Sequence, residues 1–283
     1  MPVFRFVQVE VPWPLGPADG RYVVRRHAGA DAEHVLVLTT LGAAQRRKRA
    51  KRKERGAEPE PEPTPVVTGR ATVIPAAPLE SAGAAQAWLA DADREAEALV
   101  AFTVLNAGLH AQRVATADPY ARDVGRGDAL VVRLGWGEGE QVAEGRWSGA
   151  VELPPHVGGR RRGDAALRPQ ERLAALLGGR DAVLACEELT LRARTDIDAG
   201  RLREGALQLR VALDAALSEL EAWRGRSDMG DRLDELAHEH EAAVTAADSA
   251  LRGGLDEAAA TDVTRALGRL EAALRARSSL GFE

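Results

Sequence analysis

Eight cations crowd one short stretch of this chain. Arg46, Arg47, Lys48, Arg49, Lys51, Arg52, Lys53 and Arg55 stand against a single acid, Glu54, so the tract carries +7. The 283-residue chain as a whole is at −5, which leaves −12 for the remainder. All three lysines of the chain fall inside the tract. Cations at this density attract polyanions, whether RNA, DNA, an anionic lipid surface or an acidic protein. Counterion release makes such contact salt-dependent and tolerant of sequence. No aromatic residue interleaves the cations, so bases find no stacking platform and only phosphates would be contacted. The opposing reading is a solvated loop whose charge is met by the acidic body or by Glu58, Glu60 and Glu62.

Other constellations are weaker. Glu235 and His238 have the Glu-x-x-His spacing used by di-iron helix bundles. That chemistry needs two such pairs and further glutamates, and the chain holds one pair. Glu187, Glu219 and Glu241 are available as types, but nothing in the sequence brings them together, so a solvated acidic helix face is expected. Glycines 135, 137 and 139 follow a strand as in a nucleotide-binding turn. Glu138, Glu140 and Glu144 surround them and no lysine is present, which opposes phosphate binding and favours a flexible hairpin. Cys186 lies beside Glu187 and Glu188, acids that raise a thiol pKa, so it reads as a small core residue. His27, His34, His110 and His156 are scattered, without a Gly-x-Ser-x-Gly nucleophile motif. The sequence assigns no catalytic residue, no metal and no cofactor.

The elements that would position these groups fall into two halves. Val3, Val7, Val9 and Val11 alternate with Gln8 and Glu10, which predicts a strand ended by Pro12 and Pro14. Residues 21–25 and 34–41 predict two more strands. Glu58 to Pro65 alternates proline with acid or threonine, which fits neither a helix interior nor a central strand and reads as an extended spacer. Residues 66–74 then resume the β pattern. The expected topology is an antiparallel sheet whose third-to-fourth connection, residues 42–65, is expanded into a disordered charged loop. Ser81 offers an N-cap, and Trp88, Ala92, Ala96, Leu99, Phe102 and Leu109 predict one long helix over residues 82–116. Strands at 129–134 and 149–153 complete an α+β domain over residues 1–41 and 66–153.

Residues 154–167 read as a Gly/Arg linker, and residues 168–278 as a helical bundle. Leu202, Ala206, Leu209, Leu213, Ala216 and Leu220 recur at alternating four- and three-residue steps. Leu233, Ala237, His240, Val244, Ala247 and Leu251 repeat that spacing, and Val263, Leu267, Leu270 and Leu274 follow it. Such stripes form seams for antiparallel helix packing, and the short breaks between them fold consecutive helices back on one another. Over fourteen residues from Gly200, the run GRLREGALQLRVAL resembles the second half of a tetratricopeptide repeat. Gly200, Leu202, Glu204, Leu209, Ala212 and Leu213 match, while Gly205 stands where that family prefers alanine. The resemblance implies a stacked helical-hairpin array. A plain antiparallel hairpin imposes the same spacing, and the chain shows no clean 34-residue period, so the plain hairpin is expected.

One cysteine excludes an intrachain disulfide scaffold, and no run of eighteen uncharged apolar residues predicts a membrane span. A cytoplasmic protein is expected. The leading functional expectation is a non-enzymatic interaction or scaffold protein, with a protein partner or a second copy bound through the bundle. The alternative is a nucleic-acid-associated protein that contacts RNA or DNA through residues 46–55. The third is an enzyme with a site at the domain junction.

Overall fold

Alternating β-branched residues build one six-stranded antiparallel sheet. In the computed structural model, which describes residues 1–42, 67–156 and 169–280, the strands are β1 (Val3–Val11), β2 (Gly20–Val24), β3 (His34–Leu41), β4 (Thr68–Pro75), β5 (Val131–Glu138) and β6 (Gly149–Glu152). Their order is β2-β3-β4-β1-β5-β6, with every neighbour antiparallel. β3 and β4 pair directly, from His34 with Pro75 to Leu41 with Thr68. The basic tract, the proline spacer and most of the second linker lie outside the described residues. The chain divides into two compact units, residues 1–158 and 159–283.

The first unit is the α+β half. One sheet face buries Val7, Val9 and Val11 of β1, Leu36 and Leu38, Ala71 and Val73, and Val132 and Leu134. Two helices cover that face, α1 (Ala82–Asp91) and α2 (Arg94–Thr116), where the sequence predicted a single helix. Ser81 caps α1 through Ala84 N at 3.1 Å, as its position predicted. The break falls at Ala92, which is extended, and Asp93 accepts from Ala96 N at 3.1 Å to start α2. A short carboxylate satisfies an orphan helix-start donor, so Asp93 favours a new N-cap over helix continuation. The buried stripe of α2 is Ala98, Ala101, Phe102, Val104, Leu105 and Leu109. Leu99, expected inside, is 68% exposed, and Ala96 is exposed too. The restart at Asp93 sets the phase of α2, and the face that fits the sheet is the one through Ala98 and Phe102.

The opposite sheet face carries a second, smaller core. Phe6, Val37, Ile74, Val142 and Ala143 are buried there, with Trp147 packed beside them. Of the glycines expected in a hairpin, Gly135 and Gly137 lie inside β5 against this core, whereas Gly139 stands in the β5–β6 connection with φ +59° and open space around it. A Cβ on Gly135 would stand 2.6 Å from the Phe6 ring and 2.6 Å from the Gly149 carbonyl oxygen. The absence of a side chain at Gly135 leaves the space that the Phe6 ring occupies against β5. Beside it, Gln8 is fully buried, donating to Thr72 Oγ1 at 3.1 Å and accepting from Arg133 Nη1 at 2.8 Å. Arg133 also pairs with Glu152 and lies 4.9 Å from the Trp147 ring centre.

The second unit is all-α: α3 (Pro169–Leu177), α4 (Ala185–Asp198), α5 (Leu202–Glu219), α6 (Met229–Leu251) and α7 (Glu257–Ser279). Consecutive helices from α4 to α7 pack on one another, and α4 and α5 also touch α7. The α5 stripe is buried at Ala206, Leu209, Leu213, Ala216 and Leu220, as its spacing predicted. Gly205 is buried with it, because a Cβ there would meet Ile197 Cγ1 of α4 at 2.6 Å. On α6 the expected stripe is corrected. The helix buries Met229, Leu233, Leu236, Glu239, Ala243, Ala246, Ala247 and Ala250, while Ala237 and Leu251 are exposed. Small side chains allow close helix approach, so the alanine-rich face goes inward although its neighbouring face is equally apolar. His240 falls at the seam edge, where Nε2 meets Asp214 Oδ1 at 2.5 Å.

Candidate functional site

The outer edges of α6 and α7 enclose a groove of about 500 Å³. Its α6 wall is the stripe His238, Glu241, Ala242, Thr245 and Ser249, and its α7 wall is Ala258, Ala259, Asp262 and Arg265. At 1.5 Å rise per residue the α6 wall runs for ~16 Å. Buried Ala246 floors the groove, and Ala242, Ala258 and Ala259 on its walls add no bulky side chain. Four carboxylates, Glu239, Glu241, Asp256 and Asp262, line it against one guanidinium, Arg265, so the groove is acidic. Asp256 is engaged as the α7 N-cap, accepting from Ala259 N at 2.7 Å. Thr245 and Ser249 donate to carbonyls one turn back, at 3.0 and 3.1 Å, which leaves their oxygens able to accept.

Glu239 is the unusual member. Its side chain is 6% exposed, yet it is an acidic residue in the α6 stripe between Leu236 and Ala243. Oε1 accepts from Arg265 Nη1, whereas Oε2 has no hydrogen-bond partner among the described residues. Arg265 is 45% exposed and uses Nη2 on Asp262 at 2.8 Å. The sequence reading missed both residues. The signal was the unbroken run of small and apolar positions on either side of Glu239, which a stripe drawn through His240 obscures.

The first unit holds a smaller cavity, about 220 Å³, where α1 and the start of α2 meet the sheet. Arg5 donates to Glu97 Oε1 at 3.1 Å, and Trp88 Nε1 donates to the same oxygen at 3.3 Å. The Arg5 guanidinium also lies 5.6 Å from the Trp88 ring centre. Burial lowers the pKa of His34, with Arg5 adding to the effect, while Glu33 and Glu97 oppose it. The lining residues include no serine, threonine, cysteine or lysine, and the two central charges close on each other.

The remaining residues singled out by sequence are dispersed. Glu235 pairs with Arg269 of α7 at 3.1 Å, and His238 stands on the groove wall. Cys186 is fully buried, and burial above all, with Glu219 and Glu187 nearby, pushes its thiol pKa up. Glu219 accepts from Cys186 N at 2.9 Å and Ala185 N at 3.1 Å, capping α4 from a neighbouring helix. Glu187, Glu219 and Glu241 do not converge: the first two serve the α4 start and the third lines the groove. Among the described residues no group of three or more His, Cys, Asp or Glu is placed to hold a metal ion. Among them, too, no helix is long and apolar enough to cross a membrane. Comparison with protein families, curated proteins and solved structures returns no match.

Proposed function

We propose that this chain is a non-enzymatic interaction protein whose helical unit is the binding module. The α6/α7 groove supports the reading: it is open, acidic and floored by alanine, and the bundle core closes without it. A photo-crosslinking amino acid at Thr245, inside the groove, tests this against the same group at exposed Val211 on α5. The expected result is a discrete adduct from position 245 in cells and none from position 211. Adducts from both positions, or from neither, would remove the groove as the binding surface. A self-adduct would identify the partner as a second copy.

A second reading rests on the basic tract, Arg46, Arg47, Lys48, Arg49, Lys51, Arg52, Lys53 and Arg55. It assigns RNA or DNA as a phosphate-contacting partner. Replacing all eight with serine is expected to abolish low-salt binding of fluorescent RNA and DNA. In the wild type, affinity is expected to fall with salt at a slope of roughly 0.9 per phosphate neutralised on duplex DNA. Equal binding by both proteins, or none by the wild type, returns the tract to a solvated loop.

A further inference from the structure

We infer that the α6/α7 groove receives a basic peptide segment of a partner protein, with one of its cationic side chains seated on Glu239 beside Arg265. The inference rests on the interaction reading above and names the chemistry of the partner.

A nine-tenths buried carboxylate with one oxygen lacking a partner is an uncommon arrangement, because a desolvated acceptor is costly to leave unsatisfied. Packing does not demand it. Its neighbours in the buried stripe, Leu236 and Ala243, are apolar. Glu239 also lines the groove, and its unused oxygen is closed to solvent behind the Arg265 contact, so a ligand reaches this carboxylate when Arg265 moves aside.

Arg265 shows what such a ligand looks like. One guanidinium already sits at the groove edge, with Nη1 on Glu239 and Nη2 on Asp262. Asp262 is only one turn away on the same helix, and the Arg265 side chain is 45% exposed, so it has room to swing outward. An incoming guanidinium or ammonium then takes the Glu239 carboxylate, while Arg265 keeps Asp262. Charge-assisted bonds to a carboxylate are the strong class, and the burial of Glu239 strengthens them. Asp262 and Glu241 stand along the walls for flanking cations. The alanine floor admits a backbone, and ~16 Å of wall matches about five extended residues at 3.3 Å each. A metal ion is a poorer occupant, because no cluster of three ligands forms among the described residues.

The test uses the full-length protein and a labelled peptide of alternating arginine and alanine, read by fluorescence anisotropy at low salt. Glu239→Gln is expected to weaken binding by roughly ten-fold or more, since it removes the charge and keeps the shape. Glu204→Gln changes the same net charge at an exposed position of α5, and binding should stay within about two-fold of wild type. Thr245→Arg places the chain's own cation in the groove from an exposed position, and is likewise expected to abolish binding without touching the core. That variant carries the test if Glu239→Gln fails to fold, judged by circular dichroism. Unchanged binding in Thr245→Arg overturns the groove as the seat of the cation and leaves the interaction reading standing. No binding by the wild type overturns the basic occupant. Adducts at position 245 with a partner that lacks basic segments would do the same.

Discussion

Arg277→Ala is expected to destabilise the helical unit by about 3–5 kcal/mol, the scale for removing one partner of a buried ion pair. Arg277 is 6% exposed near the end of α7. Its Nη2 donates to Asp181 Oδ1 at 2.7 Å, and its Nη1 to Glu187 Oε1 at 3.3 Å. The guanidinium lies 5.0 Å from the Trp223 ring centre. Arg172 shares both carboxylates, and Glu187 also caps α4 by accepting from Leu184 N at 3.1 Å. One side chain therefore ties the α3–α4 connection, the start of α4 and the end of α7. Truncating it leaves two buried carboxylates competing for Arg172. Arg277→Lys should recover little, because an ammonium cannot span both carboxylates and stack on the indole.

The same site carries a pH signature. Burial alone would raise the Asp181 pKa, but the Arg277 hydrogen bond, the Ala182 N–H and the charges of Arg277 and Arg172 hold it below its ordinary value of 3.8. A carboxylate depressed on folding contributes stability that is full above its unfolded pKa and lost as pH falls through the folded one. Urea unfolding of the wild type should therefore weaken as pH drops from about 5 towards about 3, and less so in Arg277→Ala. The two stability curves converge in acid. Parallel curves, or a loss below about 1 kcal/mol at neutral pH, would show that the cluster is solvated and contributes like a surface pair.

Phe6→Ala carries the second large effect, about 3–5 kcal/mol lost from the first unit, as for other buried aromatic truncations. Phe6 is fully buried on the smaller sheet face, with its ring centre 5.5 Å from that of Trp147. Gly135→Ala should cost about 1–3 kcal/mol by overpacking, since its Cβ would meet both the ring and the Gly149 carbonyl. In the Phe6→Ala background half of that clash disappears and the backbone contact with Gly149 remains. The double variant should therefore be less destabilised than the sum, with a coupling above about 0.5 kcal/mol in denaturant unfolding. Additive losses would mean that the glycine slot exists for the Gly149 contact alone.

These two sites show where sequence legibility ends. Alternation along Val3–Val11 sorts residues onto two sheet faces and the four-three spacing of Leu202–Leu220 marks a helix seam, because period two and period 3.6 are properties of the local backbone. The α+β and helical halves and the α5 seam followed from those periods, and the Ser81 cap from its residue type. Gly135, 137 and 139 read as flexible because a missing side chain looks the same in a turn and under a packed ring. Only the pairing of β5 with β1 places Phe6 over Gly135. On α6, Ala and Val on adjacent faces differ little in hydrophobicity, so the phase was decided by how closely α5 and α7 approach. That choice buried Glu239 and left His240 at the edge. Charge and composition determined from sequence alone that the chain carries one concentrated basic tract on an acidic body. The acidic groove was a tertiary decision, because its walls come from two helices whose residues meet only when α7 folds back along α6.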